Sequence, residues 1–378
     1  MNDGKKKPVS VGPARRAAFE ELKRRGSLLR FGSHQAYRHV LQTLSIQTGL
    51  DLSQPSTFVI RITDRCPLRC RHCTDWSADS TGELTTGQWS DILDDIARWP
   101  GSCHTILTGG EPLQRDDLDQ LARHATRRGL TCTVFTHGGN LGPARVARLV
   151  DAGVRCLRIS LDGIGQTHDT FRGASGLYDA VLRNIRDARK TFPSLAVVLG
   201  AVIVEPNVDQ IGSLVRLAGD LDLDGIEFMV LYPSFYDRSS PDPHWYRGHP
   251  AWPTDPSRVE RALAEVGELR RQGYPVLNLP GQLDLFARYY ADPTARFDDV
   301  PCLGLHTKVN ITSRGNLFAC NKERGSLVGR SLREVWNSDE LRTMRKRATS
   351  CGLPCAIACN FQQPFLSRVR LLGRVLRR

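Results

Sequence analysis

Residues Thr57–Cys73 read TFVIRITDRCPLRCRHC. The first seven are dominated by β-branched and aromatic side chains and predict a strand over Thr57–Thr63. The residues that follow form a short polar loop carrying Cys66, Cys70 and Cys73. Outward from that strand the pattern alternates. Helical periodicity over residues 85–99, 116–128, 143–152, 177–190 and 208–219 is interleaved with strand-like runs over 103–108, 130–136, 154–161, 195–204 and 225–231. Strand–helix units of this length imply parallel strands joined by right-handed crossovers. Six strands are too few for a closed eight-stranded barrel. The expected fold class is therefore α/β, a partial (β/α)6 TIM-like barrel with functional loops at the C-terminal ends of its strands. The cysteine loop lies at such an end.

The rest of the chain divides around this barrel, expected over residues 57–299. Residues 1–56 form a basic N-terminal extension, polar and expected to be disordered over 1–13, then helical with a basic face over 14–48. The segment 234–256 is rich in Pro, His and aromatics, is too long for a turn, and reads as a lid or substrate loop. A helix is expected over 256–272. From about residue 300 the pattern changes to a hairpin over 308–320, turning at 313–316, then a charged helix and a cysteine-rich end. That shift marks a smaller domain over 300–360. In a helical tail over 361–378, Phe365, Val369, Leu372 and Leu376 share one face and Arg370, Arg374, Arg377 and Arg378 the other. A basic amphipathic helix of this kind lies on an anionic membrane surface or docks on the protein's own core.

Composition narrows the class. The chain has 378 residues, 40% hydrophobic and 24% charged, which is ordinary for a soluble globular protein. No apolar run has the length of a bilayer span, and the start MNDGKKKPVS has no apolar stretch of the secretory kind. A cytoplasmic location is expected, with peripheral contact at the inner membrane surface as one role for the basic ends. The net charge of +12 sits at those ends: residues 1–38 hold ten Lys or Arg against three acids, and residues 361–378 hold five Arg and no acid. The neutral middle argues against a nucleic-acid partner. Of eleven cysteines, eight fall in two groups. In a reducing compartment, thiols at such short spacing point to metal rather than disulfides. Cys103, Cys132 and Cys156 stand alone in strand-like segments and read as small core residues.

Thiolates are the usual ligands of iron–sulfur clusters, which normally take four. Three ligands in one loop would leave one iron open, and open coordination sites are where metal chemistry takes place. A structural zinc site is the alternative for the same three residues.

CPLRCRHC also resembles the Cys-x3-Cys-x2-Cys motif of the radical S-adenosylmethionine (SAM) superfamily. Two further segments share the likeness, which covers about residues 57–230. LTGGEPL places Gly109, Gly110, Glu111 and Pro112 after the second strand, and ISLDG, with Ser160 and Asp162, ends the fourth and runs on to HDTFRG at His168–Gly173. The resemblance implies a SAM-binding [4Fe–4S] cluster on Cys66, Cys70 and Cys73. It implies SAM contacts at Gly109, Gly110, Glu111 and Pro112, ribose or amino-acid contacts at Ser160 and Asp162, and His72 packing by the adenine. The chemistry implied is reductive cleavage of SAM to a 5′-deoxyadenosyl radical, with electrons from a donor such as flavodoxin or ferredoxin, followed by hydrogen abstraction. Two positions depart from the family pattern: Pro67 where Asn is frequent, and THGG (Thr136–Gly139) where TNG is common.

Cys302, Cys320, Cys351, Cys355 and Cys359, with the order GNLFAC, SLREVW and CGLPCAIAC, resemble the auxiliary-cluster domains called SPASM and, in shorter form, twitch. A full SPASM domain usually carries seven cysteines. Five imply one auxiliary [4Fe–4S] cluster, held by Cys302, Cys320 and two of the last three. A structural zinc is again the alternative. Such a cluster suits electron removal from a product radical, although relatives with this domain include epimerases. Three functions compete. One is tailoring (oxidation, epimerisation or related chemistry) of a small-molecule or lipid-linked substrate. The second is maturation of a ribosomal peptide. The third is a non-enzymatic iron–sulfur or zinc binding or sensing protein, against which the intact GGEP segment argues. His168, Tyr232, Tyr236, His244 and Trp245 are candidate substrate-lining residues, and no residue is assigned as radical quencher or general base.

Overall fold

The computed structural model describes residues 27–48, 50–232, 244–297, 299, 302–319, 322–348 and 356. Helix α1 (Ser27–Thr48) leads to β1 (Thr57–Thr63). Five helix–strand steps follow: α2 (Thr86–Arg98), β2 (His104–Gly109), α3 (Leu118–Arg127), β3 (Thr131–Thr136), α4 (Pro143–Asp151), β4 (Cys156–Ser160), α5 (Gln166–Arg172), α6 (Leu177–Thr191), β5 (Ala196–Ile203), α7 (Ile211–Asp220) and β6 (Gly225–Val230). Helices α8 (Pro256–Arg271) and α9 (Pro280–Ala291) then run to the C-terminal part. That part comprises α10 (Gly304–Thr307), β7 (Lys308–Ile311), β8 (Asn316–Ala319), β9 (Lys322–Ser326), α11 (Leu332–Trp336) and α12 (Asp339–Ala348).

Strands β1 to β6 are parallel neighbours in chain order, as the alternating pattern predicts. On β1, Phe58, Ile60 and Ile62 are fully buried beneath the helices, while Val59 and Arg61 turn to the opposite face, the two-residue period of a strand. Helix α2 shows why the intervening segments are helical. Thr85 Oγ1 accepts the Gln88 N–H at 3.3 Å and Gln88 Oε1 accepts the Thr85 N–H at 3.0 Å, a reciprocal cap. Trp89, Ile92, Leu93 and Ile96 then recur at helical spacing on the buried face. Each such side chain contributes about 1.5–3 kcal/mol on burial. Trp99 and Pro100 end the helix.

The hairpin expected near 308–320 is present, and it does not stand apart from the barrel. β7 pairs parallel with β1, Thr57 opposite Lys308 and Ile60 opposite Ile311, so one nine-stranded sheet runs β6-β5-β4-β3-β2-β1-β7-β8-β9. Two buried arginines fasten the remaining pieces. Arg38 of α1 donates to the carbonyls of Pro100 and, at 2.7 Å, Ser102. Arg345 of α12 grips Asp51 through both carboxylate oxygens at 2.7 and 2.6 Å and lies 4.4 Å over the Trp336 ring. Among the described residues no helix is long and apolar enough to cross a membrane. The helix expected over 14–48 is described from residue 27 onward, and the segments 1–26 and 361–378 lie outside the described residues.

Candidate active site

The loop after β1 is held from three sides. From one, Glu83 accepts the Asp64 N–H at 2.6 Å and the Thr63 hydroxyl at 2.9 Å. From the second, the GGEP turn after β2 donates Gly110 N–H to Thr63 O and Glu111 N–H to Arg65 O, both at 2.8 Å. A Cβ on Gly109 would stand 2.2 Å from Thr63 O, and one on Gly110 would stand 2.5 Å from both Asp64 O and Arg65 O. Glycine is required here because two backbones touch.

The third side is the HDTFRG segment at the end of α5. Arg71 N–H donates to Phe171 O at 3.0 Å. His72 stacks on Phe171 with ring centroids 4.9 Å apart and planes 5° from parallel. Arg172 Nη1 reaches Cys70 Sγ at 3.7 Å. Cys66 and Cys73 are half-buried and Cys70 is buried. Burial pushes the Cys70 thiol up, and the Arg172 charge pulls against it. Among the described residues no three His, Cys, Asp or Glu side chains gather as ligands of one ion would. Three thiols of one loop, one already receiving an N–H···S bond, fit a cluster with an open iron.

Glu111 is almost fully buried and spends its carboxylate inside the fold. Oε1 accepts the Leu113 N–H at 3.0 Å and the Thr136 hydroxyl at 2.8 Å; Oε2 accepts the His137 N–H at 2.8 Å. The acid therefore ties the GGEP turn to the end of β3, and His137, at the departure from the family pattern, supplies a backbone donor. Asp162 is likewise enclosed. One oxygen accepts the Val202 N–H at 2.8 Å and the other receives Arg172 Nε at 2.6 Å. Burial pushes the Asp162 carboxyl up, but Arg172, with His72 and His168, outweighs it and holds the group below the usual range. Ser160 is half-buried at the last residue of β4. Asp162 and Arg172 thus act in series on Cys70. Neither Phe171 nor Arg172 is assigned a role by the sequence reading, although the HDTFRG segment that contains them stands out in it.

His168 is withdrawn from the substrate-lining candidates. It is fully buried and its Nδ1 accepts the Asp162 N–H at 3.1 Å. Trp245 is half-buried in an aromatic cluster, His244 is exposed, and Tyr236 lies outside the described residues. In the second cysteine group Cys302 is half-buried, while Cys320, Cys351, Cys355 and Cys359 lie outside the described residues. The two halves meet at the first cysteine loop: Ser313, in the β7–β8 turn, donates to Asp64 Oδ2 at 2.5 Å, and Leu84 N–H donates to Ser313 O at 2.9 Å.

Comparison with known proteins agrees with this geometry. Residues 60–218 match the radical SAM superfamily model and residues 302–360 the SPASM iron–sulfur cluster-binding domain. The chain belongs to the radical SAM superfamily and carries a C-terminal SPASM domain. It is an enzyme whose cofactors are a [4Fe–4S] cluster, SAM and auxiliary iron–sulfur clusters. The pre-heme d1 synthase of Dinoroseobacter shibae is 33% identical over 62% of this chain, and the match spans only 57% of that relative's length. The AdoMet-dependent heme synthase of Methanosarcina barkeri is 28% identical over 79% of this chain and 88% of its own. The PqqA peptide cyclase of Rhodopseudomonas palustris is 28% identical over 82% and 80%. Streptococcus suis SuiB bound to S-adenosylmethionine shares the fold, with TM-score 0.62 at 18% identity, over 86% of this chain and 78% of that one.

Proposed function

We propose that this radical SAM enzyme abstracts hydrogen from a carbon of a tetrapyrrole substrate. The observation that carries the reading is the alignment with a heme synthase across 79% of this chain and 88% of that relative. The relatives favour a heme-type or peptide-modifying role over the small-molecule or lipid-linked tailoring placed first among the three functions expected from sequence. Peptide maturation is the second reading, favoured by a peptide cyclase that aligns over a comparable length.

When bound, the cluster on Cys66, Cys70 and Cys73 and SAM supply a hydrogen-abstracting radical. The chain's own residues orient and enclose that chemistry. Arg172 directs an N–H at Cys70 Sγ, Asp162 fixes Arg172, and Glu111 locks the turn on which the amino-acid end of SAM would rest. Ser160 would face the ribose and His72 the adenine. Pro112 opens the short turn Pro112–Gln114 that ends the GGEP segment. One auxiliary cluster, on Cys302, Cys320 and two of Cys351, Cys355 and Cys359, would accept an electron from the product radical.

The test is anaerobic reconstitution with SAM, strong reductant and iron coproporphyrin III. 5′-Deoxyadenosine formed in step with a change in porphyrin mass supports the reading. Deoxyadenosine formed at the same rate with and without porphyrin, with porphyrin mass unchanged, overturns it and brings the peptide forward.

A further inference from the structure

An aromatic cavity of about 580 Å³ opens beside the C-terminal ends of β5 and β6, walled by Tyr246, His249, Trp252, Pro253 and Tyr290, with Arg247 at its rim. Its back wall is rigid. Tyr290 accepts the Leu231 N–H at 2.8 Å and donates to Ile203 O at 2.5 Å, so one phenol clamps the ends of both strands. Tyr289 donates to Leu231 O at 3.1 Å. Trp252 packs between these tyrosines and Tyr246, with ring centroids 4.9 Å from Tyr290 and 5.1 Å from Tyr246. Trp245 stands edge-on to both Trp252 and His249, at 5.5 and 5.6 Å.

The cavity lies at the same end of the sheet as the cysteine loop: Tyr290 holds the C-terminal ends of β5 and β6, and the loop follows the C-terminal end of β1, parallel to them. His249 accepts the Ala251 N–H on Nδ1 at 3.2 Å, which puts its own proton on Nε2. It is then a hydrogen-bond donor in the cavity and not a metal ligand through Nε2. Glu205 and Asp292 also line it, but their carboxylates are taken up by Arg258 and Thr254 and by Thr294. The half-buried Tyr246 ring, a ring N–H donor and the exposed Arg247 match a flat, conjugated ligand that carries a carboxylate.

Resting on the tetrapyrrole reading, we propose that this cavity is the macrocycle site: the ring packs on Tyr246, which Trp252 backs from inside, and Arg247 pairs with a substituent carboxylate. This assigns Tyr246 and Arg247 to substrate binding. Arg247 is exposed and Tyr246 is half-buried, so Arg247→Ala leaves the fold standing and Tyr246→Leu keeps an apolar side chain against Trp252.

Binding is read directly by titrating the full-length, cluster-loaded protein anaerobically with iron coproporphyrin III, following the porphyrin absorbance band and tryptophan quenching. Wild type is compared with Tyr246→Leu, Arg247→Ala and, as a control on α8, Arg271→Ala. Roughly tenfold weaker binding in each cavity variant, with the control unchanged, supports the assignment. Wild-type binding that both cavity variants retain overturns the cavity and leaves the tetrapyrrole reading intact. An equal loss in the control marks unspecific charge attraction and overturns the cavity as well. No saturable binding by wild type overturns the tetrapyrrole reading and, with it, the assignment.

Discussion

Arg172 joins Asp162 to Cys70: its Nε donates to a carboxylate with no solvent exposure, and its Nη1 donates to the thiol sulfur 3.7 Å away. The guanidinium is thus both the counter-ion of a buried acid and a hydrogen-bond donor to a cluster ligand. Hydrogen bonds to cluster sulfur raise the reduction potential.

Removing the arginine separates these roles. Arg172→Leu is expected to cost about 3–5 kcal/mol, because Asp162 is left buried and unpaired. The double variant Arg172→Leu/Asp162→Asn recovers most of that loss while still lacking the N–H···S bond. Anaerobic unfolding curves check the stability. A redox titration followed by EPR is expected to show a lower cluster potential in both variants.

Gly110→Ala tests the backbone contact. Its Cβ would sit 2.5 Å from two carbonyl oxygens of the cysteine loop, and backbone cannot yield as a flexible side chain can. The expected result is a displaced loop and the loss of about four irons per chain on reconstitution, the content of one [4Fe–4S] cluster. An iron assay decides it.

Glu111 satisfies three donors, so truncation and neutralisation differ. Glu111→Ala strands the Leu113 and His137 amides and the Thr136 hydroxyl, at about 1–3 kcal/mol for each group left unsatisfied. Glu111→Gln keeps one acceptor oxygen. SAM affinity, measured by equilibrium dialysis on reconstituted protein, is expected to fall more than tenfold in the first variant and less in the second.

His168 makes stability depend on pH. Burial, only partly opposed by Asp162, lowers its pKa to about 4, against 6.5 for an ordinary histidine. The unfolded chain therefore binds a proton between those values that the folded chain does not. Stability from this residue is complete above about pH 6.5 and is lost as pH falls toward 4, by roughly 3 kcal/mol at most. His168→Asn retains an acceptor for the Asp162 N–H and is expected to flatten the slope of denaturation midpoint against pH in that window.

Much of this was legible from residue patterns. Apolar periodicity located β1 to β6 and most of their helices, and the cysteine spacing with GGEP and SLDG marked the loops that meet. Helix α9 went unread because Leu283, Leu285, Phe286, Tyr289 and Tyr290 bury too broad a surface to show one apolar stripe. The short α5 is hidden between glycines, Gly165 before it and Gly173 after it. The roles of Glu111 and Asp162 could not be read either. A motif marks a carboxylate as needed without telling whether it meets a ligand or the protein's own amides. The pairing of β7 with β1 spans some 250 residues, and strand periodicity carries no information about a distant partner.

That pairing bears on how the protein is made. β1 leaves the ribosome some 250 residues before β7, and the edge it shares with β7 stays open until residue 308 has emerged. An unpaired apolar edge on a nascent chain invites pairing with neighbours, and contacts this distant in sequence form slowly. The strand that presents the cysteine loop is completed only once β7 has emerged, so iron loading is expected to follow that emergence. A chain ending at residue 300 would expose that edge permanently and is expected to aggregate, as light scattering during expression would reveal.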